Sequence, residues 1–439
     1  MYDVAVVRYE RPLESLREAV ELAGGLESIS RDSKVFIKPN FCQWYEGVSF
    51  PKYGVLTTAR LIEDMVLLLK ERDVTDITLV EGVVEIERKP ESMLQKVARG
   101  MGLDILANRY GMKMIDVLRS PSARVTAGGV TISVNRDVLQ ADHLINMPVL
   151  KTHSQTVVSL GLKNLKGLLS IPSRKKCHSI NPHTDLTYHL AKLLDFFSPS
   201  LTIMDGIYTL ERGPLITGRA YRSNIIIASK DPYSADKVGT TLLGIGPDTV
   251  PHLTLAATNL GRTPDLSDIN IRGGIDVRTA LKPHLWEFEQ NESGDLPMYF
   301  ERAGVRGLTY PQADTTMCTY CADFIYYVIW GVLMAENRDK PFDDIEVLHG
   351  KALDPSGIHK HTLLVGQCQV KRNSKNPLIN HCVNINGCPP SREGLLEAYA
   401  ELGIDLPHDF LERMRTSSET YMKRYAGNPE FDESFYKIQ

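Results

Sequence analysis

The hydrophobic and polar positions in the first part of the chain follow two alternating patterns. Short apolar runs rich in β-branched residues predict strands, and the segments between them carry apolar residues at helical spacing. The predicted strands are residues 3–8, 34–38, 77–80, 114–118, 143–149, 201–204 and 225–228, with a hairpin-like passage over 124–134. The predicted helices are residues 13–22, 58–70, 92–102, 161–169, 186–196 and 234–243.

This alternation predicts the fold class, which is α/β with a mostly parallel sheet and helices on both faces. The pattern weakens over residues 264–311, where charge and proline content rise. We therefore expect a large α/β domain over 1–263, a connecting region over 264–311 and a smaller C-terminal α/β domain over 312–439. That domain has predicted helices at 322–334 and 391–402, and predicted strands at 345–348, 362–365 and 383–385.

Composition and charge narrow the function classes. The chain has 439 residues, of which 43% are hydrophobic and 24% charged, as in ordinary globular proteins. A formal net charge of -4 argues against a nucleic-acid binder with a basic surface. The sequence shows neither a membrane-length apolar run nor a secretory signal, so we expect a cytoplasmic protein without a membrane partner.

The cysteines predict a metal site in the C-terminal domain. Five of the seven cysteines fall between positions 318 and 388. Cys318 and Cys321 are close enough in sequence to bind one metal, and they precede a predicted helix whose N-terminus favours thiolate. Cys388 is followed by Pro389, which fixes the exit of the chain. Cys368, at the end of a predicted strand, completes a set of four.

Four thiolates suit a 4Fe–4S cluster or a tetrahedral zinc ion. One close pair with two dispersed cysteines favours the cluster, because structural zinc usually uses two tight pairs. Cys382 remains an alternative to Cys368 as the fourth ligand. Four histidines could replace a cysteine as a ligand: His349, His359, His361 and His381. Lone histidines are more often packing or surface residues, so we do not include these four in the ligand set.

Basic and amide side chains follow predicted strands of the large domain. In an open parallel sheet, ligands bind beyond the carboxyl ends of the strands, so these side chains predict a crevice for a small anion such as a carboxylate or phosphate. The predicted catalytic members are Lys38, Lys151 and His153. The predicted substrate-binding members are Asn40, Lys163, Asn164 and Lys166.

Acidic residues and one thiol complete the predicted catalytic set. Asp205 is expected to end the strand at 201–204, and with Glu211 it is a candidate base or cation ligand. Cys177 and His178 are a candidate thiol and proton donor, because neighbouring cations are expected to lower the pKa of Cys177. Asp231 is interpreted as a helix cap. Walker, dinucleotide and serine-elbow motifs are absent from the sequence, which disfavours a bound nucleotide.

These residues resemble the family called domain of unknown function 362. The resemblance rests on residues 35–40, 57–58, 143–153 and 162–167, on His178, on residues 205–214, and on Asp231, Pro232 and Asp236. It implies an iron–sulfur cluster bound through a C-terminal segment that ends in Gly-Cys-Pro-Pro, here Gly387 to Pro390. The chain departs from the family in having Glu81-Gly82 after the third strand and in lacking a compact ferredoxin run, which argues against a two-cluster electron carrier.

The function that we predict is an iron–sulfur redox enzyme, or a component of one, acting on a small anionic substrate. A single cluster implies an external electron donor of the ferredoxin type. One alternative is a non-redox lyase, isomerase or ligase with a structural metal. Another is a cofactor or metal maturation protein in which Cys42 and Cys177 bind transiently. The sequence leaves open whether the chain forms a homo-oligomer.

Overall fold

The chain folds into two compact units in a computed structural model that describes residues 1–85 and 89–439. Unit 1 comprises Met1–Cys177, Thr187–Trp286 and Glu419–Gln439, and unit 2 comprises His178–Leu186 and Glu287–Ser418. The domain limits drawn from the sequence at 263 and 311 stay predictions.

Unit 1 is built on a mixed sheet. Its strands are β1 (Tyr2–Arg8), β2 (Lys34–Lys38), β3 (Asp76–Glu81), β4 (Lys113–Asp116), β5 (Ser122–Ala127), β6 (Val130–Asn135), β7 (His143–Asn146), β8 (Val149–His153), β9 (Val157–Val158), β10 (Leu201–Glu211), β11 (Arg219–Ser229) and β12 (Ile269–Arg272). The helices along this part of the chain are α1 (Glu14–Leu22), α2 (Ala59–Lys70), α3 (Met93–Met101), α4 (Leu103–Tyr110), α5 (Gly161–Leu165), α6 (Ile171–Lys176), α7 (Leu186–Ala191), α8 (Pro232–Leu242) and α9 (Pro251–Leu260).

The strand order of the sheet is β12-β1-β11-β10-β7-β2-β3-β4, with β8 beside β10 and β9 beside β8. Strands β7, β2, β3 and β4 run parallel, and β10 runs parallel to β7 and β8. Strand β11 is antiparallel to both β1 and β10. Strands β5 and β6 form a separate hairpin. The mostly parallel α/β fold is therefore confirmed.

Both faces of this sheet are covered by helices. Alternate residues of a strand point to opposite faces, and β1 divides its side chains between two cores accordingly. Ala5 and Val7 pack in the core that contains residues of α1 and α2, whereas Val4 and Val6 pack in the core that contains residues of α8 and α9. A sheet buried on both faces explains why these strands are continuous apolar runs.

Several elements differ from those predicted. Strand β10 continues through Asp205 to Glu211, so the expectation that Asp205 ends this strand is wrong. The pairing of β10 with β11 shifts register between Gly206 and Tyr208 and then continues to Glu211, so the strand passes through a bulge or irregularity instead of ending there. The single strand predicted over 143–149 is two strands, β7 and β8, separated at Met147 and Pro148. Proline lacks the N–H that a continuous strand would need.

Unit 2 contains a parallel sheet of β13 (Leu308–Thr309), β14 (Ile345–Leu348), β15 (His361–Val365) and β16 (His381–Ile385), paired in that order. The helices of this region are α10 (Met298–Arg302), α11 (Thr319–Met334), α12 (Gln367–Asn373), α13 (Arg392–Glu401) and α14 (Phe410–Met422), the last of which ends in unit 1. The core of unit 2 joins residues of α11, β14 and α13, among them Phe324, Val347 and Leu395.

The most apolar helix of unit 2 is α11, which has 16 residues. Over residues 1–85 and 89–439, no helix is long and apolar enough to cross a membrane.

Candidate functional site

Three neighbouring parallel strands of unit 1 end in polar side chains. Strand β2 ends at Lys38, β3 ends at Glu81, and β7 ends at Asn146. The register pairs Lys38 with Asn146, and Ile37 with Leu79, so the three carboxyl ends lie at one edge of the sheet. This is the edge at which the sequence predicts a crevice.

Lys38 is held there by an ion pair. Its Nζ donates to Glu81 Oε2 at 2.9 Å, to the Pro39 carbonyl at 2.7 Å and to Asn164 Oδ1 at 3.4 Å, which uses all three ammonium protons. Glu81 also accepts from the backbone N–H groups of Phe41 and Gly82. Burial lowers the pKa of Lys38, and the Glu81 carboxylate opposes that shift.

Asn164, on α5, connects these strand ends. Its Oδ1 accepts from Lys38 and from Asn40 Nδ2 at 3.2 Å. Its Nδ2 donates to Asn146 Oδ1 at 2.8 Å and to the carbonyls of Lys38 and Pro39. The amide therefore bridges β2, β7 and the loop after β2, whereas its substrate-binding role stays a prediction.

Asp236 on α8 anchors the helix that carries Asn164. Its two oxygens accept from the N–H groups of Gly161 at 2.6 Å and Leu162 at 2.9 Å, at the first turn of α5. Burial raises the pKa of Asp236 to about 7, and these two backbone hydrogen bonds act in the opposite direction. Asp231 accepts from the Ser234 N–H as the cap of α8, so its interpretation as a helix cap is confirmed.

Lys151, on β8, lies in the same network through Asn40. Its Nζ donates to Asn40 Oδ1 at 2.6 Å, to the Val55 carbonyl at 2.8 Å and to the Pro214 carbonyl at 3.4 Å. The Cys42 sulfur lies 3.9 Å from this ammonium group. Burial lowers the pKa of Lys151, and the interaction with Cys42 raises it.

Within the described part of the chain, Lys163 on α5 makes a long hydrogen bond and no ion pair. It donates to the Ser159 hydroxyl at 3.4 Å, and it contacts no carboxylate among the described residues. Its pKa lies well below the ordinary lysine value because of burial and because the ammonium groups of Lys166 and Lys151 repel it. Lys166 is 9% exposed. We call Lys151, Lys163 and Lys166 the lysine cluster.

The remaining predicted catalytic residues of unit 1 make separate contacts. Asp205 accepts from the N–H and hydroxyl groups of Thr58, at 2.7 and 2.8 Å, and from the Ile207 N–H at 3.1 Å. Burial raises the pKa of Asp205, and the bonds from Thr58 oppose this. Glu211 accepts from the Tyr221 hydroxyl and the Leu285 N–H. His153 Nδ1 accepts from the Gln155 N–H at 3.1 Å.

Cys177 and His178 fall in different units. Cys177 is 1% exposed, and its thiol donates to the Ser173 carbonyl at 3.2 Å. Burial raises the pKa of Cys177 despite the opposing effect of Lys166, so the expected lowering is wrong. His178 belongs to unit 2, where its Nδ1 lies 2.7 Å from the Thr315 carbonyl.

The four predicted cysteine ligands are at turns and helix starts of unit 2. Cys318 precedes α11 and Cys321 is in its first turn, whereas Cys368 is in the first turn of α12 and Cys388 follows β16. The hydrogen bond with Cys321 and the N-terminal amides of α11 lower the pKa of Cys318. The pKa of Cys321 is raised by its hydrogen bond to Cys318, by burial, and by the charges of Cys318, Cys368 and Cys388.

Gly366 explains how β15 passes close to these cysteines. Its φ of 87° lies in the left-handed region, and a Cβ at this position would approach Cys321 Sγ to 3.0 Å. Cys382, the alternative ligand, instead donates to Asn384 Oδ1 at 3.4 Å on β16. Within the described residues, no three His, Cys, Asp or Glu side chains are arranged to hold a metal ion as they stand. The four-cysteine metal site therefore stays a prediction.

The hydrogen-bonded groups of Lys38, Glu81, Asn146 and Asn164 form what we call the strand-end network. Sequence reasoning missed two of these residues. Glu81 was noted only as a departure from the family pattern, although it directly follows the strand predicted over 77–80. Asn146 lies inside the strand predicted over 143–149, so it was not placed at a strand end. The strand-end rule that selected Lys38 could have found Glu81, whereas Asn146 needed the break at Pro148.

Unit 1 is thus an α/β domain with a buried network of lysine, carboxylate and amide groups at the carboxyl ends of parallel strands. Residues 35–241 match the family model described as Domain of unknown function (DUF362), which confirms the resemblance over that range. Lys38, Glu81, Asn164 and the lysine cluster all lie within the matched residues.

Two further similarities were found. The thylakoid-associated protein sll1697 of Synechocystis sp. is 24% identical over 273 residues, which cover 58% of this chain and 77% of that protein. The lactate racemase apoprotein from Thermoanaerobacterium thermosaccharolyticum has a TM-score of 0.36 and 14% identity, covering 54% of this chain and 56% of the racemase.

Proposed function

We propose that this protein is an iron–sulfur redox enzyme, or a component of one, acting on a small anionic substrate. The proposed ligands of a 4Fe–4S cluster are Cys318, Cys321, Cys368 and Cys388. The proposed substrate site is the lysine cluster in unit 1. A ferredoxin-type protein is the proposed external electron donor.

The observation that carries the cluster proposal is the position of Gly366, two residues before Cys368. A Cβ there would lie 3.0 Å from Cys321 Sγ and 3.6 Å from Pro390 Cγ, so Gly366 lies against both Cys321 and the turn that carries Cys388. The charges of Cys318, Cys368 and Cys388 disfavour ionisation of Cys321, and bound iron or zinc would offset this repulsion. The α11 amides favour the Cys318 thiolate. Four cysteine thiolates are a donor set for a 4Fe–4S cluster, which when bound supplies one-electron transfer.

The substrate proposal rests on Lys163. Its ammonium group is repelled by Lys166 and Lys151, and its contact with Ser159 is long. A bound carboxylate or phosphate would offset this repulsion and accept a charge-assisted hydrogen bond. Lys38 and Lys151 each have all three protons engaged by protein acceptors. We therefore assign Lys38 the role of positioning Asn164 and the loop that carries Asn40, and we propose that Lys151 contributes its charge to the lysine cluster without a direct hydrogen bond to the substrate.

The test is the iron and acid-labile sulfide content of protein purified without oxygen, with an electron paramagnetic resonance spectrum after dithionite reduction. We expect about four iron and four sulfide per chain and the signal of a reduced cluster. Protein with neither iron nor sulfide would contradict the proposal. About one zinc per chain without iron would favour the non-redox alternative, in which the metal is structural and unit 1 carries out acid–base chemistry.

A further inference from the structure

Two histidines meet at the beginning of neighbouring strands in unit 2. His361 starts β15 and His381 starts β16, and the parallel register places them directly opposite each other. Their Nδ1 atoms are 2.7 Å apart, and the ring planes are inclined at 80°. His361 has 13% and His381 46% of its side chain exposed, so solvent reaches the pair.

Each imidazole also contacts a carboxylate through its other nitrogen. His361 Nε2 is 3.1 Å from Asp343 Oδ2, and His381 Nε2 is 3.1 Å from Glu401 Oε1. Asp343 Oδ2 also accepts from Lys360 Nζ. Each ring is therefore oriented by a carboxylate, with its Nδ1 turned toward the other ring.

The free coordination positions of the pair are therefore the two Nδ1 atoms. Each Nε2 lies at hydrogen-bond distance from a carboxylate oxygen, whereas the two Nδ1 atoms lie 2.7 Å from each other. A ring nitrogen with a lone pair can bind a metal, so the facing Nδ1 atoms are the ones that a single metal ion could bridge.

We propose that His361 and His381 bind a divalent first-row transition metal, of which Zn²⁺ is the probe, through their two Nδ1 atoms. The metal binds to the lone pairs of both Nδ1 atoms, any proton held on them leaves to solvent, and water completes the coordination. Zinc–nitrogen bonds of about 2.0–2.1 Å in tetrahedral geometry place the two nitrogens about 3.3 Å apart. The two nitrogens, which lie 2.7 Å apart, must therefore separate by about 0.6 Å to bind the metal together.

The carboxylates fit this role because metal-binding histidines usually donate their other N–H to a carboxylate or carbonyl. Such a contact fixes the ring orientation and increases the basicity of the ligating nitrogen. Asp343 and Glu401 thus act as positioning residues, and the protein supplies two direct ligands.

This histidine pair is separate from the four cysteines. It lies where β15 and β16 begin, whereas Cys368 and Cys388 follow the opposite ends of the same strands. Four residue steps, or about 13 Å at the rise of a strand, separate His361 from Val365. The neighbouring Cys382 points to the other face of β16, because side chains alternate along a strand.

The test is calorimetric titration with Zn²⁺. The protein is purified without oxygen, and its cysteine site is left in the state in which it is isolated. Wild type should bind one Zn²⁺ that His361→Ala and His381→Ala each weaken by at least about tenfold. Asp343→Asn should weaken binding by about tenfold, as expected for a partner that only orients a ligand. Matched controls are His359→Ala, which removes a histidine paired with Asp344, and Cys382→Ser; both should bind as wild type does.

Three results would overturn the proposal. Zn²⁺ binding retained in both histidine variants would show that the rings are not the ligands. Loss of binding in Cys382→Ser would make the thiol the ligand. Absence of Zn²⁺ binding to wild type would show that the pair holds no metal.

Discussion

Lys38 and Glu81 form an ion pair across the ends of two parallel strands, with 1% and 3% of their side chains exposed. Both charges are removed from water, so each depends on the other and on the surrounding hydrogen bonds. Gly167 packs directly on the pair, because a Cβ there would lie 2.8 Å from Lys38 Nζ and 3.0 Å from Glu81 Oε1. The pair is therefore an organising feature of the strand-end network.

We expect Glu81→Gln to lower the free energy of unfolding by about 3–5 kcal/mol, because it leaves the Lys38 ammonium buried without a counter-charge. The matched control is Asp76→Asn at the start of the same strand, whose partner Lys113 is largely exposed. That change should lower the free energy of unfolding by less than about 1 kcal/mol. Urea unfolding of the three proteins measures the difference, and equal losses would contradict a special role for the buried pair.

The Lys163→Gln variant tests anion binding at the lysine cluster. Removing one charge-assisted hydrogen bond should weaken sulfate binding by at least about tenfold. The same change should not lower stability at neutral pH, since a cation disfavoured by burial and by two neighbouring ammonium groups is removed. Sulfate titration followed by calorimetry measures the first effect and denaturant unfolding the second. Lys34→Gln, an exposed change at the start of β2, is the control and should leave sulfate binding unchanged.

Asp236 should give stability a defined pH dependence. Its pKa of about 7 in the folded protein exceeds the model-peptide value of 3.8, so between these values the folded state binds more protons than the unfolded state. Stability from this group therefore decreases as pH rises through that window, by at most about 1.4 kcal/mol per pH unit.

The stability of Asp236→Asn relative to wild type should accordingly increase from pH 4.5 to pH 7. Unfolding curves at several pH values measure this difference. An Asp248→Asn variant, at an exposed position after α8, should show no such trend. A pH-independent difference between Asp236→Asn and wild type would show that the carboxyl group is not held neutral by its surroundings.

Local sequence patterns predicted the strands of the parallel core because each is an apolar run buried on both faces. Strand β2 was predicted with its observed limits, and Lys38 and Asn40 were selected by their position at its end. The continuation of β10 past Asp205 could not be predicted from the local pattern, because it is made by pairing of residues 208–211 with β11 and of Leu210 with Lys151 on β8.

The packing of residues 419–439 on unit 1 also depends on non-local contacts and was not predicted. Tyr425 and Tyr436 join the unit 1 core, where both contact the ring of Tyr53. No periodic pattern in residues 419–439 indicates this packing, since it depends on aromatic side chains spaced irregularly along the segment. The pKa of Cys177 was predicted to be lowered by its basic neighbours in the sequence. It is raised, because the thiol is buried, and burial also depends on non-local contacts.

The sequence leaves open whether Cys368 or Cys382 is the fourth cysteine ligand. Cys368 acts on Cys321 electrostatically together with Cys318 and Cys388, whereas the Cys382 thiol contacts Asn384. We therefore expect Cys368→Ser to lose most of its iron and sulfide, and Cys382→Ser to retain the wild-type content. The two changes are chemically identical, so each is the matched control of the other. Iron and sulfide analysis of anaerobically purified variants, with circular dichroism to verify folding, distinguishes them. The opposite result would assign the ligand to Cys382 and would require β16 to turn its other face toward the cluster.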